Sequence, residues 1–206
     1  LSKVVIGLTG PTGAGKSTVA AALENAGCKI IDADRVAREV VTYPECIAEL
    51  KAEYGADIVD GNEINRRFLA QRAFASSKSS ARLNEITHPK IMNEVIRQID
   101  LFQQNGAIEE KAIILDAALL FESGADRLCD TTIVVTAPLE LRLNRIIKRD
   151  SIPVDLAQAR IGAQHDNAYY IERAKYVFDG AISMDSAPAQ ARKLLECILG
   201  DFDEKI

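Results

Sequence analysis

Residues 10–17 read Gly-Pro-Thr-Gly-Ala-Gly-Lys-Ser, between the apolar, β-branched run VVIGL at 4–8 and a stretch of good helix formers from Lys16 to about Ala26. No other feature constrains the chain as tightly. Glycines at this spacing let the backbone curl so that successive N–H groups face inward, and the following helix adds its positive N-terminal end. Such a cradle fits phosphate oxygens, with Lys16 reaching the outer phosphates and the Ser17 hydroxyl placed to ligate Mg²⁺. By residue frequencies alone the pattern arises in roughly one 200-residue chain in a hundred, and its position between a strand and a helix makes chance rarer still. The loop therefore predicts a nucleoside triphosphate site. Gly10, Gly13, Ala14, Gly15, Lys16, Ser17 and Thr18 are its candidate binding residues, and Lys16 is also a candidate catalytic cation.

The rest of the chain alternates strand and helix signals. A second short strand is expected at 29–33 after Gly27, which stands where a helix C-cap belongs. A helical pattern follows Asp34 as far as Val41, and Tyr43-Pro44 breaks it. Strands AIILD at 112–116 and TIVVTA at 132–137 come next, then a helix opened by Pro138, two short helices over 154–175, the apolar run YVF and a last helix at 187–199. Residues 45–104 read instead as helices with polar joints at Gly55, Asp60-Gly61-Asn62, the SSKSS stretch at 76–80, and His88-Pro89. The expected fold is α/β: a doubly wound, mostly parallel sheet with helices on both faces and a helical insert.

Composition narrows the function. With 206 residues, 48% apolar and 27% charged, the chain can bury a full core in one domain. A net charge of −5 offers no field for nucleic acid or an anionic membrane. No apolar stretch approaches the ~18 residues that span a bilayer. The N-terminal residues enter a strand without the basic and small-residue flanks of a signal peptide, so a cytoplasmic protein is expected. Cys28, Cys46, Cys129 and Cys197 are scattered, without a Cys-x-x-Cys, and read as reduced, buried residues rather than a zinc site or disulfide framework. His88 and His165 have no partner at ligand spacing.

A GTPase would carry Asn-Lys-x-Asp and Asp-x-x-Gly; neither string occurs. Large ATPases need more chain, so a small phosphotransferase fits best. Residues 138–150, PLELRLNRIIKRD, place Leu139, Leu143, Ile146 and Ile147 on one helical stripe with Arg142, Arg145 and Arg149 beside it. Beside a phosphate loop, three such arginines read as a clamp on the transferring phosphate, with Arg145 the candidate catalytic finger and Arg149 a candidate ATP ligand. Asp116 ends a strand where a carboxylate orients the water shell of Mg²⁺, the expected metal pair being Ser17 and Asp116. Asp32 and Asp34, in IIDADR, end another strand, where a carboxylate caps a helix, supports a metal or takes a proton from a substrate.

Several segments together resemble the dephospho-CoA kinases: GLTGPTGAGKSTVA (7–20), IIDADRVAREVV (30–41), NRRFLAQRAFA (65–75), LNEITHPKI (83–91), LDAALLFESGADRLCD (115–130), LRLNRIIKRD (141–150) and ARIGAQ (159–164). They run in the family's order over about 160 residues. The resemblance implies a P-loop nucleotide kinase-like domain over 1–206. Its core would cover about 1–41, 107–137 and 176–206, its acceptor-binding insert about 42–106 and its arginine-bearing lid about 138–175. It further implies transfer of the ATP γ-phosphate to the 3′-hydroxyl of dephospho-CoA, with Mg²⁺ as cofactor and ATP and dephospho-CoA as partners, in a monomer or small homo-oligomer. Asp34 matches the family's second Asp of Asp-Ala-Asp, the acceptor base. Asp32 stays open between a metal role and a cap. Arg38, Arg66 and His88 match positions toward the acceptor, beside plainer readings as a solvated arginine or a packed histidine. Pro11-Thr12, Ala14, Ala118 and Asp179-Gly180 depart from the family's usual residues. Two rivals stand beside this reading: a kinase of the same fold for a nucleoside monophosphate or shikimate, and a nucleotide switch with no metabolite acceptor.

Overall fold

The computed structural model describes residues 2–61, 63–105 and 110–204, so Asn62 of the expected Asp60-Gly61-Asn62 turn lies outside the described residues. The chain forms two compact units, one of residues 1–31 with 99–206 and the other of residues 32–98.

The first unit is built on a five-stranded sheet: β1 (Val4–Thr9), β2 (Lys29–Asp32), β5 (Ala112–Asp116), β6 (Thr131–Thr136) and β7 (Tyr176–Asp179), in the order β2-β5-β1-β6-β7. Strand β1 is parallel to β5 and β6, and β7 is parallel to β6. Near-continuous apolar runs suit strands covered on both faces, and β5 and β6 are buried almost throughout. The short YVF run thus becomes an edge strand. With β1 central, the sheet's strand order reverses on either side of it, which puts the loop after β1 at the switch point where open α/β sheets bind ligands.

Helix α1 (Lys16–Asn25) and helix α9 (Ala187–Asp203) cover one face. Their Val19, Leu23, Leu195 and Ile198 pack with Ile6, Leu8, Ile114, Ile133, Val135 and Phe178 in one buried cluster. Helices α6 (Leu139–Asp150), α7 (Val154–Gly162) and α8 (Asn167–Ile171) complete the unit. All four cysteines are free, but only Cys28 and Cys46 are buried. Cys129 is half-buried and Cys197 exposed, because residue 197 falls off the 191-195-198 stripe that α9 turns to the sheet.

The second unit holds α2 (Ala33–Val40), α3 (Pro44–Tyr54), α4 (Arg66–Ala73) and the greater part of α5 (Ser77–Asn105). Two expectations change here. Strands β3 (Val59–Asp60) and β4 (Glu63–Ile64) pair as a small antiparallel ladder where a bare joint was expected. SSKSS does lie where α4 gives way to α5, Ser76 accepting from the Ser79 N–H at the start of α5, but His88-Pro89 separates no helices: Pro89 lies inside α5. The ring of Pro89 is exposed, and the helix packs through Ile86, Val95 and Ile99 on either side. Packing over 29 residues outweighs one missing helix bond.

Among the described residues no helix is long and apolar enough to cross a membrane.

Candidate active site

The phosphate loop runs from the end of β1 into α1. Gly10, Gly13 and Gly15 have φ of 153°, 78° and 105°, so the curl the sequence called for is present. Gly13 also has no room for a side chain: a Cβ there would stand 2.7 Å from the carbonyl oxygen of Arg142 and 3.0 Å from its Cα. Gly15 is the residue before α1 and caps it without a side chain; the N–H of Thr18 donates to Gly15 O at 3.0 Å, whereas those of Lys16 and Ser17 have no partner among the described residues. That is the donor set an anion takes up.

Side chains hold the outer rim of the loop. Arg142 Nε donates to the Thr12 carbonyl at 2.9 Å. Arg145 Nη1 donates to the carbonyls of Gly13 and Ala14 at 3.2 and 3.1 Å, and its Nη2 to that of Gly180 at 2.8 Å. The Thr12 N–H donates to Gln164 Oε1 at 2.8 Å. Gly180 lies against the loop from the far side; its N–H donates to Thr136 O, and a Cβ on it would collide with the Ala14 carbonyl oxygen.

The arginine row therefore divides, although the helix period places all three on one side. Arg142 is 3% exposed and Arg145 half-buried, both on loop carbonyls. Arg149, a turn further on, is exposed and paired with Asp150, which also meets Arg160. Leu139, read as part of the apolar stripe, stays exposed at the start of the helix.

The ammonium of Lys16 is paired with the Asp116 carboxylate at the end of β5, both largely out of solvent. Ser17 is exposed and its hydroxyl has no partner among the described residues. A hydroxyl and a carboxylate are hard oxygen donors of the kind a Mg²⁺ nucleotide uses, since that ion keeps most of its shell as water and phosphate oxygen. Among the described residues there is no cluster of three His, Cys, Asp or Glu side chains to hold an ion alone.

In the second unit Asp32 proves to be the cap of α2: its carboxylate accepts from the Arg35 N–H at 2.9 Å and stands 4.0 Å from Arg38 Nη2. Arg66, whose helix is capped by Asn65, reaches the Arg38 carbonyl at 3.5 Å. Asp32 and two expected acceptor residues, Arg38 and Arg66, are thus neighbours. Asp34 is not a cap. It lies in the first turn of α2, exposed, with no hydrogen bond or ion pair among the described residues. His88 is inside α5, its Nε2 buried without a partner among the described residues.

Gln164 and Gly180 were not singled out as site residues from the sequence. Gln164 had a signal, since it ends the segment ARIGAQ, but nothing local to it indicated a bond to residue 12.

A parallel sheet with this loop at its switch point, backed by arginines from the helix after β6, defines a small P-loop kinase. The family model for dephospho-CoA kinase matches residues 4–185, and the chain belongs to that family. It is 38% identical over 197 residues to the dephospho-CoA kinase of Corynebacterium glutamicum, covering 94% of this chain and 96% of that one. A crystal structure from Thermus thermophilus matches with a TM-score of 0.80 and 28% identity over 98% of each chain. The dephospho-CoA kinase from Campylobacter jejuni matches with a TM-score of 0.72 and 26% identity over 96% of this chain and 98% of that one. The protein is an ATP-dependent kinase, a transferase.

Proposed function

We propose that the enzyme transfers the γ-phosphoryl group of Mg·ATP to the 3′-hydroxyl of dephospho-CoA, giving CoA and ADP. The observation that carries this reading is the complete phosphate loop, fixed at its rim, in a chain whose family match runs through both units. Lys16 exchanges its Asp116 partner for the β- and γ-phosphates, a stronger electrostatic match for an ammonium. Ser17 and Asp116 would hold Mg²⁺. When bound, that ion would supply positive charge to offset the charge that develops during transfer. Arg145 and Arg149 are assigned to the phosphates, Arg145 to the γ-phosphoryl group; for this Arg145 gives up its carbonyl partners at residues 13, 14 and 180 and Arg149 gives up Asp150.

Asp34 is the group we assign to the acceptor: an unpaired carboxylate that accepts the proton of the attacking hydroxyl and fixes its direction. Because phosphoryl transfer passes through a loose transition state, orientation is the larger part of that role. Arg38, Arg66 and His88 are assigned to binding the acceptor. The reaction is placed in the cytoplasm, where free thiols and ATP coexist, with no nucleic acid or membrane partner.

The test is product analysis with γ-labelled ATP. The reading expects label in a product with the mass of CoA, with the phosphate on the 3′-oxygen. Label released only as inorganic phosphate would contradict it.

A further inference from the structure

We propose that Arg142 and Gln164 are positioning residues, which grip the backbone of Thr12 by its C=O and its N–H and so set the phosphate loop before the triphosphate arrives. The inference rests on the reading of residues 10–18 as the ATP site.

A loop with three glycines at positive φ has wide conformational freedom, and a loop ordered only on binding loses affinity by that ordering. Here one residue is held at both polar groups by side chains more than a hundred positions away: Thr12 N–H to Gln164 Oε1 at 2.8 Å, and Thr12 C=O from Arg142 Nε at 2.9 Å. With Arg145 on the next two carbonyls, residues 12, 13 and 14 all turn their C=O groups to the arginines of α6. With those carbonyls engaged, and the N–H groups of Thr12 and Ala14 on Gln164 and on Pro11 O, the N–H groups of Gly13, Gly15, Lys16 and Ser17 are the ones without a partner among the described residues and left for an anion.

Arg142 is also an expensive way to hold a carbonyl. It is 3% exposed, burial works against its charge, and its Nη2 has no partner among the described residues. A neutral donor would make the same bond at a smaller cost of desolvation. The charge makes sense beneath a site for a triphosphate, where a water-poor setting strengthens its attraction.

Gln164 stands on a rigid footing. Its N–H donates to Ile161 O, three residues on Asn167 donates to Ala137 O at 3.1 Å, and Tyr170 donates to Glu122 at 3.3 Å. The turn that presents the Gln164 amide is thus tied to the end of β6 and to the segment after β5.

The test compares the wild-type enzyme with Gln164→Met, which keeps the length but loses the acceptor, and Gln164→Glu, which keeps it. Amide exchange at Thr12 is read without nucleotide, ATP affinity by calorimetry, and KM and kcat for each substrate by steady-state kinetics. In Gln164→Met we expect Thr12 exchange to speed up at least tenfold, ATP affinity to fall about tenfold as for one lost hydrogen bond, and the acceptor KM to hold. Gln164→Glu should keep Thr12 protected. Arg142→Lys should also weaken ATP; should it fail to fold, the Gln164 pair decides. Wild-type ATP affinity or wild-type Thr12 exchange in Gln164→Met would overturn the proposal. Exchange and calorimetry need no acceptor, so a wild-type enzyme inactive on dephospho-CoA would sink the substrate reading and leave this one standing on its own data.

Discussion

At the scale of single residues, Asp32 and Asp34 are two positions apart and do different things. Asp32 accepts the Arg35 N–H and so ends its role in holding the helix start. Asp34 sits in the same turn with its carboxylate uncommitted among the described residues, which is what an acceptor base requires. The two are separable by experiment. Asp34→Asn should lower kcat by about 10²-fold, the lower end for general-base loss because the transition state is loose, with the melting temperature unchanged. Asp32→Ala should cost about 1 kcal/mol of stability through loss of the cap. Kinetics and thermal melts on both variants check this. Wild-type turnover in Asp34→Asn would reduce that carboxylate to a favourable charge at a helix N-terminus.

At the scale of elements, the phosphate loop depends on neighbours that come late in the chain: α6, the turn at 163–167 and the turn at 179–180. Gly180 shows the dependence most sharply. A methyl group there would collide with the Ala14 carbonyl and lie 3.0 Å from Thr136 O and Val135 Cγ1. Backbone on two sides cannot yield cheaply, so the loop itself must move. Gly180→Ala should weaken ATP binding at least tenfold and cost about 1–3 kcal/mol of stability, the usual range for overpacking. An ATP titration with a parallel melt reads both, and unchanged affinity would show the turn to be a bystander.

The same elements show what could be read from sequence. The loop and the strands of the five-stranded sheet were legible because each is a local pattern: glycine spacing and apolar runs. Pro89 was read as a break since local sequence shows the missing N–H but not the packing that carries α5 past it. The arginine row was legible as a row, yet which guanidinium meets the loop depends on where α6 lies against residues 12–14. The Cβ-free contact at Gly180 and the Gln164 bond are long-range, with nothing at either end to announce the other.

At the scale of the molecule, the phosphate loop and its arginines belong to one unit, and Asp34, Arg38, Arg66 and His88 to the other. Donor binding is assigned to the first and acceptor choice to the second. The phosphate loop and the fold are common to the donor side of any such kinase; the acceptor is the distinguishing claim. The most direct measurement is therefore ADP release from Mg·ATP with dephospho-CoA, CMP, AMP and shikimate supplied in turn. The account predicts strong stimulation by dephospho-CoA alone. Stimulation by one of the other acceptors in its place, or ADP release indifferent to all four, would contradict it.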